Sequence, residues 1–164
     1  MLVSALAGKD YIMEAYSEAV YEYVRNEKKK ATTPMKGVKE ILDFFREEDV
    51  PMAVASSSDR KDIEENLRAA GIREYFRAIV GGDQVEKGKP DPEIFLRAAK
   101  ALELSPEDCY IFEDSFNGIR AANAAGGCAV MIPDQVQPDE EIKGISKVYE
   151  DFLRILEDIR AEKM

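Results

Sequence analysis

Apolar positions along this chain keep two rhythms, and the two alternate. Ile12, Tyr16, Ala19, Val20, Tyr23 and Val24 recur at the spacing of one helix face before the charged end at Asn26-Glu-Lys-Lys-Lys, which predicts a helix over 12–30 that Thr32-Thr-Pro34 then breaks. Val38, Ile41, Leu42 and Phe45 predict a second helix over about 36–48. Val50 to Ala55 is a short apolar run of the kind a strand buried on both faces needs. Met1 to Gly8 carries no such pattern and reads as a poor strand.

The alternation then repeats. Asp59 to Ala70 reads as a helix with Ile63 and Leu67 inward and Gly71 closing it, and Arg77 to Val80 as a strand ending in Gly81-Gly82. Glu93 to Leu102 is a helix opened by Pro92, Cys109 to Phe112 a strand, and Ser115 to Ala125 a small-residue helix closed by Gly126-Gly127. Cys128 to Ile132 is a further strand, and Phe152, Leu153, Ile155, Leu156 and Ile159 mark a final amphipathic helix. Strands alternating with helices predict an α/β fold with a doubly wound parallel sheet, Rossmann-like, in which ligands bind at the carboxyl ends of the strands.

Composition narrows the function more than the fold. The 164 residues suffice for one main domain, and an apolar content of 45% is ordinary for a globular protein. Asp and Glu outnumber Lys and Arg by 33 to 23, a formal charge of −10 that repels nucleic acid and anionic membranes alike, and the short run Lys28-Lys-Lys30 does not reverse it. No apolar run approaches the length of a membrane span and no leader pattern opens the chain, so the expected location is the cytoplasm. Histidine is absent, which excludes imidazole-based triads and His-ligated zinc within this chain. Cys109 and Cys128 have no metal-ligand spacing and read as buried structural thiols.

Against that background three polar stations stand out, each at the end of an apolar run: Ser56, with Ser57 beside it; Lys89 in Gly88-Lys-Pro-Asp-Pro92; and the pair Glu113-Asp114. A hydroxyl can donate to a phosphate oxygen, an ammonium can neutralise it, and carboxylates suit Mg²⁺, which takes oxygen ligands and keeps several waters. Each station also has a plainer reading. The serines could be a turn capping the helix at Asp59, Lys89 a solvated loop lysine, and the acidic pair a helix cap placed well for the helix dipole. Tyr11, Tyr16, Tyr21 and Tyr23 read as packing aromatics rather than a substrate pocket.

Taken together, Val54-Ala-Ser-Ser-Ser58, Gly88-Lys-Pro-Asp-Pro-Glu-Ile-Phe95 and Phe112-Glu-Asp-Ser-Phe-Asn-Gly-Ile119 resemble, in order and spacing, the second, third and fourth motifs of the haloacid dehalogenase superfamily of phosphatases and phosphomutases, in particular the branch that includes beta-phosphoglucomutase. The resemblance covers about Thr33 to Ile132. It implies that Ser56 and Ser57 bind phosphate, that Lys89 and Ser56 serve catalysis, and that Asp114 and Glu113 hold Mg²⁺ with Ser115 and Asn117 in support. Many phosphatases of the family carry Gly-Asp and a further acid four residues on; here that later position is Gly118, and the acid is Glu113 instead. The substrate implied is a small phosphorylated metabolite.

One departure is large. The family's first motif, Asp-x-Asp-Gly-Thr after an N-terminal strand, carries the aspartate that is phosphorylated and the aspartate that acts as general acid and base, and no Asp-x-Asp occurs in this sequence. Neither Ser56 nor Lys89 can replace a carboxylate nucleophile without different activation. The resemblance therefore implies residues 1–32 as the remnant of a helical cap and 33–164 as a core lacking its first strand, inactive by itself. A missing central strand would leave two rows of unpaired N–H and C=O groups. The readings left open are an enzyme completed by an N-terminal segment, a non-catalytic phosphate- or metal-binding fragment, and a domain that completes its sheet by self-association. A receiver-like domain would need its own phosphorylatable aspartate after a strand, and none is apparent.

Overall fold

The run at 50–55 forms the strand its composition calls for, β2 (Met52–Ala55), with all four residues buried. The computed structural model describes residues 36–134 and 136–161 together with the backbone of residues 2–5, so the helix expected over 12–30, the early tyrosines and the expected cap remnant apart from residues 2–5 lie outside the described residues. With β1 (Leu2–Ala5), β3 (Ala78–Val80), β4 (Cys109–Glu113), β5 (Cys128–Met131) and β6 (Lys147–Val148), β2 makes one sheet of order β3-β2-β1-β4-β5-β6. The pairs β2–β3, β4–β5 and β5–β6 are parallel, as the alternation of strands and helices demands.

The centre of the sheet corrects two expectations. The segment read as a poor strand is β1, and it pairs with β2 on one side and β4 on the other, so the two rows of backbone groups are not left open. It runs antiparallel to both neighbours. The physical reason is the cost of leaving buried backbone donors and acceptors unpaired, which outweighs the weak strand preference of Leu2-Val-Ser-Ala5.

Helices α1 (Val38–Glu47), α2 (Arg60–Ala69), α3 (Glu93–Ala101), α4 (Phe116–Ala124), α5 (Glu140–Ile145) and α6 (Phe152–Arg160) cover both faces. Side chains of β4 alternate with a period of two, so Ile111 and Glu113 point to one face and Phe112 to the other. On the Glu113 face lie α3 and α4; on the other, the Phe152 ring of α6 lies tilted against Phe112 with the ring centres 6.2 Å apart. The core joins both layers through Phe45, Ile63, Phe95, Ile111, Ile119 and Ile155, all buried. Among the described residues no helix is long and apolar enough to cross a membrane.

Candidate functional site

Leu2 is the cross-strand partner of Val54 on one side and of Phe112 on the other. Val54 and Phe112 are therefore level, and their strands run in the same direction. Ser56 and Asp114, each two residues further on, leave the sheet at one edge, separated by two strand spacings or about 10 Å. It is the carboxyl edge of the parallel strands, where ligands bind in open α/β sheets.

Ser56 is buried, its N–H donating to the Val80 carbonyl at 3.0 Å. Its Oγ accepts from the Ser58 N–H at 3.3 Å, a local turn that occupies a lone pair and leaves the hydroxyl proton to donate. Ser57 is exposed beside it. The plainer reading of this turn, a cap on the helix at Asp59, is not what forms. Asp59 makes no side-chain cap bond, and the first N–H of α2, from Arg60, is met instead by Asp83 Oδ1 at 2.8 Å from the loop after β3. Gly81 and Gly82 permit that approach: a Cβ on Gly82 would collide with the Ser57 carbonyl, and Gly82 N–H donates to Ser58 O at 2.8 Å.

Lys89 comes from the loop before α3. Glu93 in the first turn of α3 holds the base of that loop, its Oε2 accepting from the N–H groups of Glu86 and Lys87, both at 3.0 Å, while Arg97 binds its Oε1. The Lys87 N–H first, and then Arg97, hold the Glu93 carboxyl below its ordinary value. The Lys89–Pro90 peptide is cis. Lys87 stays exposed, whereas the Lys89 side chain turns inward to 13% exposure, its ammonium 5.4 Å from the centre of the buried Phe95 ring and 2.6 Å from Glu113 Oε1.

Glu113, the last residue of β4, is buried. Its Oε1 accepts from Lys89, and its Oε2 gathers three donors: Asp114 N–H at 3.0 Å, Ser115 N–H at 3.1 Å and Ser115 Oγ at 3.0 Å. Burial pushes the Glu113 carboxyl up, but the ammonium of Lys89 and these donors prevail and hold it below its ordinary value. A carboxylate has about four acceptor directions, and Glu113 receives four donors, one on Oε1 and three on Oε2. The acidic pair thus divides its work: Glu113 fixes Lys89, and the half-buried Asp114 stands one residue further out at the strand end.

Ser115 also caps α4, its Oγ accepting from Gly118 N–H at 3.1 Å. Asn117 is exposed on the first turn and accepts from Arg120 at 3.4 Å. Among the described residues no three His, Cys, Asp or Glu side chains gather into a metal cluster. The structure thus joins Lys89 directly to Glu113 and brings Ser56, Ser57 and Asp114 to the same edge. Sequence reasoning gave no role of their own to Glu93, Phe95 and Asp83, which seat the loops. Glu93 had a legible signal, an acid in the first turn after Pro92; Phe95 and Asp83 did not.

A profile of haloacid dehalogenase-like hydrolases matches residues 3–132. The chain is 36% identical over 126 residues to the Phosphorylated carbohydrates phosphatase of Thermotoga maritima, covering 77% of this chain and 58% of that protein. It is 41% identical over 102 residues to the Beta-phosphoglucomutase of Bacillus subtilis, covering 62% and 44% respectively. CbbY from Rhodobacter sphaeroides, solved in complex with phosphate, superimposes with a TM-score of 0.71 at 28% identity over 83% of this chain and 62% of that one. The chain therefore spans less than two thirds of each of these relatives.

Proposed function

Because the chain belongs to the haloacid dehalogenase-like hydrolases, we propose that it carries the phosphate-handling part of a phosphatase or phosphomutase site for a small phosphorylated sugar. The observation that carries this reading is the buried Lys89–Glu113 pair at the sheet edge where Ser56 and Asp114 emerge. A transferring phosphoryl group spreads negative charge over its oxygens, and catalysis is mostly positioning by donors and cations. Ser56 and Ser57 would donate to those oxygens, and Lys89, held in place by Glu113, would neutralise them.

The donors present also fit Mg²⁺. That ion is bound through one or two carboxylates, with waters and substrate phosphate completing its shell. Asp114 would supply the main carboxylate, and Glu113, already held by four donors, a secondary one. When bound, the ion would neutralise charge developing on the phosphoryl oxygens.

The nucleophile would come from a segment bearing Asp-x-Asp, which this sequence does not contain. That segment would have to take a central place in the sheet now held by β1. The test is release of inorganic phosphate from sugar phosphates with Mg²⁺, comparing the chain alone with the chain fused to such a segment. Turnover by the fusion and none by the chain alone supports the reading; a folded fusion that binds substrate without turnover counts against it. One observation favours a second reading, a non-catalytic phosphate-binding fold: β1 already satisfies both neighbouring strands. Inorganic phosphate bound at Ser56 and Lys89 by both proteins, with turnover by neither, would select it.

A further inference from the structure

Two glycines follow β3, and neither has a backbone that calls for glycine, since the positive φ values among the described glycines belong to Gly37, Gly71 and Gly126. What lies opposite explains both. A Cβ on Gly82 would run into the Ser57 carbonyl, and a Cβ on Gly81 into the Arg60 backbone nitrogen and the Asp83 carboxylate. The loop after β3 therefore packs backbone to backbone on the turn that carries the serines.

Three bonds fasten that contact, and they fall on alternate residues. Ser56 N–H donates to Val80 O at 3.0 Å, Ser58 O accepts from Gly82 N–H at 2.8 Å, and Arg60 N–H donates to Asp83 Oδ1 at 2.8 Å. Ser57, between the first two anchors, is exposed. The loop is closed on itself by Gln84, whose Oε1 accepts from Gly81 N–H at 3.0 Å. Two of the three anchors join backbone to backbone; the third alone depends on a side chain.

We propose that Asp83 is a positioning residue for phosphate: through the Arg60 N–H it locks the loop after β3 onto the Ser56–Ser58 turn and so fixes where Ser56 and Ser57 meet the anion. This role rests on the phosphate reading of those serines. Binding groups must be held to within about 0.5 Å, and without the third anchor the turn can pivot where it runs into α2. The Asp83 carboxylate has a second effect. It occupies the first N–H of α2, where the helix would otherwise attract an anion, and so directs phosphate to the serines.

The test breaks the lock from both sides. Asp83→Ala removes the acceptor, and Asp83→Asn keeps an oxygen that can accept from Arg60. Arg60→Pro removes the donor at the first position of α2, where proline suits a helix and the extended Asp59 suits the residue before it; Arg60→Ala is its control, losing the guanidinium but keeping the N–H. In the ligand-free chain, Asp83→Ala and Arg60→Pro are each expected to shift the amide resonances of Ser56, Ser57 and Ser58 and to quicken hydrogen exchange at Gly82 about tenfold. Inorganic phosphate is expected to bind about tenfold more weakly to Asp83→Ala than to Asp83→Asn, and to Arg60→Pro than to Arg60→Ala, although proline at this position should not lower Tm. A purely structural cap would not separate the Arg60 pair in this way. Serine amides unmoved in both lock-breaking variants would overturn the proposal, as would equal phosphate affinity within each pair. If Asp83→Ala does not fold, the Arg60 pair decides by the same signs. A native chain that binds no phosphate would overturn the reading of the serines and the role of Asp83 with it, whereas unmoved amides would overturn that role alone.

Discussion

Lys89 Nζ and Glu113 Oε1 lie 2.6 Å apart although 24 residues separate them in the chain, and their side chains are 13% and 1% exposed. A pair this buried contributes little net stability, but removing one partner strands the other's charge, at a cost of about 3–5 kcal/mol. Lys89→Met keeps the length of the side chain and removes the charge. It should lower Tm by roughly 10 °C, read by calorimetry, because the Glu113 carboxylate loses its counter-charge. A change within about 2 °C would show that the pair is solvated in solution.

The same pair sets a pH dependence. The folded Glu113 carboxyl lies below its ordinary value, so it contributes stability that is present above the unfolded carboxylate range, about pH 4.3, and lost as pH falls through the folded value. The stability gap between the native chain and Glu113→Gln, measured by urea unfolding, should be widest near neutrality and should narrow below about pH 4. A gap that widens on acidification would mean that burial, not Lys89, governs this group.

Asp83 takes the capping role that the sequence assigns to the Ser56–Asp59 turn. Asp83→Ala leaves the Arg60 N–H without its acceptor at the start of α2. The expected loss is about 1 kcal/mol, or roughly 2–4 °C in Tm, whereas Asp59→Ala should change stability far less.

The cysteines should be slow to react. Burial pushes the Cys109 thiol up to about 12, and burial also raises Cys128, which is half-buried rather than fully enclosed as the sequence suggests. At pH 8 iodoacetamide should label both residues rapidly only after denaturation, because the thiolate is the reactive form. Mass spectrometry showing Cys109 labelled as fast in the folded chain would contradict its enclosure.

Much of this was legible before any coordinates. Val50 to Ala55, Cys109 to Phe112 and Cys128 to Ile132 announced strands because both faces are buried, and Val38, Ile41, Leu42 and Phe45 announced a helix because only one face is. β1, α5 and β6 were missed for physical reasons. Leu2-Val-Ser-Ala5 is a strand by virtue of the two neighbours it satisfies, and Glu140–Ile145 and Lys147–Val148 are too short to show a period. At the site, the residue types pointed to phosphate chemistry, and the placement of Ser56 and Asp114 followed from strand direction. Sequence reasoning assigned metal binding to both Glu113 and Asp114. That Glu113 also meets Lys89 could not be read, because it depends on where Lys89 arrives from a distant loop. Gly118 left a trace, a glycine early in a helix, but the Glu113 carboxyl that fills the space of any side chain there belongs to another element.

In the proposed function Ser56, Lys89 and Asp114 serve one bound anion with its cation. Titrating the nitrogen-15-labelled chain with inorganic phosphate, with and without Mg²⁺, tests this most directly. Shifts should concentrate at Ser56, Ser57, Lys89, Asp114 and Ser115, grow when Mg²⁺ is added, and vanish in Lys89→Met. Saturating phosphate that leaves these residues unmoved, or moves Ser56 without Lys89 and Asp114, would contradict the account.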